Sequence, residues 1–190
     1  MKRRTAIGGI LGLAGISYVS VVGVKHLFEN KQQNRRMLEA HFDLIIELVD
    51  VIIPPTSTPG AKLGQVQDYI IDYMEDCSSS KEYTNFLNGL IDLQERCENT
   101  YGSNFENCSA SQKKELLEHL DNSWNSKGLL MKINNKFLGR SFFTILKTLT
   151  IEGYCTSFIG ATKHLEYLPI PGRYKAVTLL NTNQKAWATK

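Results

Sequence analysis

The chain is short of the residues that usually carry chemistry, and it spaces them far apart. Its four cysteines (Cys77, Cys97, Cys108 and Cys155) contain no C-x-x-C pair. That excludes the signatures of a zinc ribbon, a thioredoxin-like site and a c-type haem attachment. The four histidines, His26, His41, His119 and His164, form no H-E-x-x-H motif, and each reads as a surface or cap residue. No serine sits in a G-x-S-x-G elbow. The glycines Gly8, Gly9, Gly12 and Gly15 follow no strand, so they make no nucleotide loop. An excess of one charge is also missing: 22 Lys+Arg stand against 19 Asp+Glu, a formal net charge of +3. Without a basic-aromatic stripe, that balance argues against a nucleic-acid partner. Asp43, Glu47 and Asp50 share one helix face and read as a solvated acidic surface rather than a cation site. No catalytic, cofactor-binding or metal-ligating residue can be assigned.

What remains is an ordinary globular composition with one unusual end. The 190 residues are 42% hydrophobic and 22% charged, enough for one domain with a core and too few for two catalytic domains. Lys2, Arg3 and Arg4 precede residues 5–24, a run without a single charge. About 20 such residues can cross a bilayer as a helix, and a cationic start before an apolar run is an export signal. The glycines keep the run only moderately hydrophobic. With Arg3 and Arg4 it resembles a twin-arginine signal, the type that exports folded proteins to the periplasm. Lys2 stands where that signal usually has Ser or Thr, and Ala6-Ile7 where it usually has Phe-Leu. No small-x-small cleavage site is evident near residues 18–23, so a removed peptide and an inner-membrane anchor both stay open. Residues 1–24 are thus read as signal or anchor, 25–36 as a polar spacer, and 37–190 as the folded domain.

That domain reads as helices. Leu38, Phe42, Ile45, Ile46, Val49 and Ile52 recur at three- and four-residue intervals up to Pro54-Pro55, where a helix must stop. A loop over residues 56–61 follows. Val66, Tyr69, Ile70 and Tyr73 mark a second helix, and Tyr83, Phe86, Leu87, Leu90, Ile91 and Leu93 a third. Ser109-x-x-Gln112 is a capping box opening a fourth, whose apolar face is Leu116, Leu117 and Leu120. Residues 126–151 form a longer helix broken near Gly139, and residues 157–164 a brief one. No strand alternation or internal repeat is present. The spacing predicts an all-α bundle with an irregular, extended C-terminal arm. Cys97 and Cys108 flank the loop 98–107 between two antiparallel helices, so they could meet as a disulfide in an oxidising compartment. Cys77 and Cys155 read as small apolar residues, with a bridge between them as the alternative.

The remaining signals are turn residues. Ile52-Ile53-Pro54 leads to Pro59-Gly60-Ala61; Leu149-Thr150-x-x-Gly153-Tyr154-x-Thr156-Ser157-x-x-Gly160 follows the long helix; Tyr167-x-Pro169-x-Pro171-Gly172-x-Tyr174 and Lys185-Ala186-Trp187 close the chain. Taken singly, each glycine or proline simply shapes a turn. In this order, with Phe105, Ser109, Gln112, Leu116 and Leu117 between them, they resemble the gluconate 2-dehydrogenase subunit 3 family over most of residues 38–187. Cys155 and Phe158 stand where the family often has an aromatic and a glutamate.

The resemblance implies a small, non-catalytic subunit of a membrane-associated sugar or polyol dehydrogenase. A glucose-methanol-choline type large subunit would carry FAD and substrate, and a cytochrome c subunit would often take the electrons. The small chain would bind that flavoprotein, lend it an export signal and help it mature. Pro59, Gly60, Tyr154, Thr156, Ser157, Tyr167, Pro171, Gly172, Tyr174 and Trp187 are then the candidate partner interface, and Arg3 and Arg4 the signal. The alternative is a free-standing periplasmic domain in which Tyr154, Thr156, Tyr174 and Trp187 line a sugar pocket.

Overall fold

The computed structural model describes residues 34–125, 139–170, 172–173, 177, 179–180 and 182–188. Arg3, Arg4, the charge-free run and the start of the spacer lie outside them, as do residues 126–138, Pro171 and Tyr174. Six α-helices are described: α1 (Arg35–Glu39), α2 (Phe42–Ile52), α3 (Val66–Asp76), α4 (Ser80–Tyr101), α5 (Ala110–Asn125) and α6 (Phe142–Thr156). A 3-10 turn, Phe105–Asn107, precedes α5, and a π turn, Gly160–His164, follows α6. No strand occurs among the described residues, so the all-α expectation holds for them.

Several boundaries follow from local chemistry visible in the sequence. α2 ends at Ile52, just before the two prolines. The capping box is reciprocal: the Gln112 amide donates to Ser109 Oγ (3.4 Å), and the Ser109 amide to Gln112 Oε1 (2.8 Å). Gly139 takes a positive φ of 81°, and Ser141 then caps α6 by accepting from the Thr144 amide at 3.3 Å. The helix on the C-terminal side of Gly139 thus starts at Phe142, while residues 126–138 of the expected longer helix lie outside the described residues.

Three boundaries differ. The first apolar stretch is two helices, α1 and α2, parted at Ala40-His41. Asn34, inside the expected spacer, is already part of the fold: its side chain caps α1, and the Tyr83 hydroxyl donates to its carbonyl (2.7 Å) and accepts from its amide (3.1 Å). α6 runs five residues past the expected end at 151, because Gly153 lies within the helix.

α6 is the central helix. It packs against α2, α3 and α4, and buries Phe143, Ile145, Leu146, Leu149, Thr150 and Tyr154. α2 contributes Leu44, Ile45, Leu48 and Val49; α3 contributes Val66, Ile70, Ile71 and Met74; α4 contributes Tyr83, Phe86, Leu87, Leu90 and Leu93. Each large side chain fully buried in this way stabilises the fold by about 1.5–3 kcal/mol. Gly153 lets α3 approach closely, since a Cβ there would lie 2.6 Å from Tyr69 Cδ1. Ion pairs tie the outer pieces down. Lys113 Nζ of α5 reaches Glu47 Oε2 of α2 at 2.7 Å, and Arg140 Nε reaches Glu82 Oε1 at 2.6 Å.

After the π turn the chain carries no further helix among the described residues. The arm returns to its own start: the Glu166 amide donates to the Ala186 carbonyl, and the Ala188 amide to the Glu166 carbonyl, both at 2.8 Å. Lys185 Nζ adds a bond to the Lys163 carbonyl. Among the described residues, one parallel bridge, Glu166 with Trp187, holds the end of the arm beside its start.

Candidate functional site

Tyr154 organises one end of the bundle. It sits on the inner side of α6, buried, and its hydroxyl donates a short hydrogen bond to the Pro59 carbonyl. That bond joins α6 to the loop after α2. The loop itself is drawn tight at Gly60, where a Cβ would lie 2.7 Å from the Ile53 carbonyl oxygen and 2.8 Å from the Pro55 nitrogen. Only glycine fits. Ser157 ends α6, its hydroxyl donating to the Tyr154 carbonyl (2.8 Å) and accepting from the Gly160 amide (3.0 Å). Gly160 then lies so near the Tyr154 carbonyl that no side chain could be added. The His164 ring packs 5.6 Å from the Tyr154 ring.

Beside this corner lies an open groove of about 490 Å³ between the start of α3 and the end of α6. Leu63, Gln65, Asp68 and Tyr69 form one wall, and Thr156, Ser157 and Phe158 the other. Gln65 enters α3 in the left-handed conformation, φ 55°. Burial, and then the nearby Glu152 carboxylate, push the Tyr69 phenol upward, so it stays protonated at neutral pH. Leu63 and Phe158 are exposed, Phe158 at 79%. The groove offers no nucleophile paired with a base. The Ser157 hydroxyl is bonded to backbone on both sides, and no histidine, cysteine or lysine lines the walls.

The candidate residues separate into two sets. Gly60 and Tyr154 are buried, and Pro59 and Ser157 are half-buried and held by the contacts above, so these four build the corner, with Ser157 also on the groove wall. Thr156, Tyr167, Gly172 and Trp187 are exposed. Of the residues named for a sugar pocket, the three that are described do not line one groove. Thr156 lines the groove, but Tyr154 does not and spends its hydroxyl on Pro59, while Trp187 belongs to the bridge of the arm. Tyr174 lies outside the described residues.

Other expectations change too. Glu47 is no part of a merely solvated face: Lys113 and Lys62 both bind it, and the Lys113 hydrogen bond holds its carboxyl below the usual range. Lys113 is buried, its ammonium 5.6 Å from the Phe105 ring centroid and bonded to the Glu106 carbonyl. A lysine in a helical pattern gives no sign of that. Among the described residues no cluster of His, Cys, Asp or Glu could hold a metal. Cys97 and Cys108 do come together, as free thiols. Cys77 and Cys155 do not. Gly153 touches Tyr69 near the start of α3, whereas Cys77 follows the end of α3, about 12 Å further along its axis by helix rise. A disulfide spans far less.

Among the described residues, the most exposed large apolar side chains lie on the arm. Ile170, Val177, Leu179 and Leu180 are 82–89% exposed, and Tyr167 and Leu168 are exposed beside them. Exposed apolar groups that gather into a patch mark interaction surfaces. The described residues thus offer a helical corner, an open groove beside it, and an arm with exposed aliphatic side chains. Residues 39–172 match gluconate 2-dehydrogenase subunit 3, and the chain belongs to that family. No curated protein and no solved structure matches the chain.

Proposed function

We propose that the chain is an accessory subunit of a dehydrogenase complex: it binds a FAD-dependent large subunit of the glucose-methanol-choline type and carries it, folded, out of the cytoplasm. The observation that carries this reading is the arm, a loop anchored on the bundle that exposes four aliphatic side chains almost completely. Its cost in water is offset when a partner covers it. Family membership supplies the partner's class. The twin-arginine-like residues Arg3 and Arg4, followed by the charge-free run 5–24, supply the route to the periplasm. No helix among the described residues is long and apolar enough to cross a membrane, so any anchor falls to that run.

In this reading the chain holds no FAD and no haem. Thr156, Phe158 and Leu63 of the groove, with Tyr167, Gly172 and Trp187 of the arm, form the docking surface. Tyr154, Gly60 and Ser157 act behind it by fixing the corner on which the groove is built. Electrons would pass within the large subunit and on to a cytochrome c subunit. The test is affinity capture of the full-length chain from native envelope fractions, followed by an absorbance spectrum. A co-purifying large subunit with flavin bands is the expected result; a chain captured without any flavoprotein would refute the proposal.

A further inference from the structure

The turn between α4 and α5 brings two sulfurs together in the core. Cys97 lies on the inner face of α4, fully buried, about one turn before the helix ends at Gly102. Gly102 (φ 68°) reverses the chain, and Phe105 plugs into the core. Gln94 then holds the returning strand of chain. Its carbonyl oxygen accepts from the Phe105 amide at 2.9 Å, and its amide nitrogen donates to both Glu106 carboxylate oxygens, at 2.8 and 3.0 Å. That brings Cys108, nearly buried, into the same part of the core as Cys97, near enough for each thiol to sense the other. Cys108 Sγ is also 3.6 Å from Ser103 Oγ and 3.5 Å from the Asn104 carbonyl. Neither contact asks for sulfur, and alanine or serine would fill such sites.

We propose that Cys97 and Cys108 are a dithiol that closes to a disulfide after the folded chain reaches an oxidising compartment. The proposal rests on the export reading only for its oxidant, a protein or small-molecule disulfide of that compartment. Burial pushes the Cys97 thiol up to about 12, so it is protonated at neutral pH and does not open the reaction. Cys108 is the one of the two with exposed surface, and its thiolate attacks first. The oxidant's S–S bond breaks as a mixed disulfide forms on Cys108. Cys97 loses its proton and attacks the Cys108 sulfur, the Cys97–Cys108 bond forms, and the oxidant leaves as its dithiol with two electrons and two protons. The bridge closes a loop of about 12 residues, already held in place by Gln94, so the native state changes little and the unfolded chain is constrained.

The test uses the purified full-length chain carrying Cys77→Ser and Cys155→Ser, which removes the exposed competitor Cys77. Incubated with oxidised glutathione and then alkylated in denaturant, the chain should take up no label, and its digest should hold one linked peptide pair containing Cys97 and Cys108. Its melting temperature should rise by about 6–10 °C, reversed by reductant. Full labelling of both cysteines after oxidation would overturn the proposal, and so would a stable glutathione adduct on Cys108 alone. The further change Cys108→Ser should abolish the melting shift; a shift that survives it would also overturn the proposal. No partner takes part in this assay, so its failure leaves the docking proposal standing, and the reverse.

Discussion

Replacing Tyr154 separates a structural corner from a recognition surface. The Phe variant keeps the buried ring and removes only the hydroxyl that donates to Pro59. Pro59 is half-buried, so water can take over part of that bond, and the loss should be about 1 kcal/mol. The Ala variant empties a site in which the tyrosine is 2% exposed, in contact with the His164 ring and packed beside the core of α6. A cavity of that size costs about 3–5 kcal/mol. For a domain of about 150 residues, each kcal/mol lowers the melting temperature by about 2–4 °C. Thermal unfolding should therefore show a drop of about 2–4 °C for Tyr154→Phe and of about 6–20 °C for Tyr154→Ala. Limited proteolysis should find residues 53–61 cut faster in both, because the loop has lost its tie to α6. Partner capture by the Phe variant should match the unaltered chain. The reasoning fails if Tyr154→Ala melts within about 2 °C of the unaltered chain, or if Tyr154→Phe melts normally but no longer captures its partner.

Three further outcomes are expected. Glu47→Gln should destabilise the fold by about 1–2 kcal/mol at neutral pH, since Lys113 keeps its buried position but loses its anion. The Glu47 carboxyl is held below its ordinary value of 4.5, so its contribution is present above that pH and fades as pH falls through the lower folded-state value. Urea titrations should thus show the gap between Gln variant and unaltered chain closing on acidification; a constant gap would contradict the assignment. Replacing Ile170, Leu179 and Leu180 together by Ser should leave melting within about 1 °C, because they touch water already, while partner capture falls at least tenfold. Changing Arg3 and Arg4 both to Lys should hold the chain and its flavoprotein in the cytoplasm, read by fractionation and blotting; unchanged delivery would sink the twin-arginine reading.

The helices were legible in the sequence wherever local chemistry decides the matter. Pro54, the Ser109–Gln112 box and Gly139 each act on the backbone within a turn of themselves, and each marks a boundary in the structure. The roles of the turn residues were not legible, because they depend on distant partners. Gly153 faces Tyr69 across two helices, and Tyr154 reaches a carbonyl 95 positions away. In sequence a glycine-tyrosine pair after an apolar helix suits a surface turn as well as a buried corner. Lys113 is the same case for charge, a solvent-type residue drawn inward by Glu47 and the Phe105 ring. The proximity of Cys97 and Cys108 could be anticipated, since a short turn between two helices limits how far apart its ends can lie.

The most direct measurement follows the large subunit in cells with and without this chain. Dye-linked dehydrogenase activity and flavin content are compared in periplasmic and cytoplasmic fractions, alongside the purified chain alone. Delivery of the flavoprotein only when the chain is present, with neither flavin nor activity in the chain by itself, is the result that the accessory role predicts. Active flavoprotein delivered without the chain, or stoichiometric FAD in the purified chain, would contradict it.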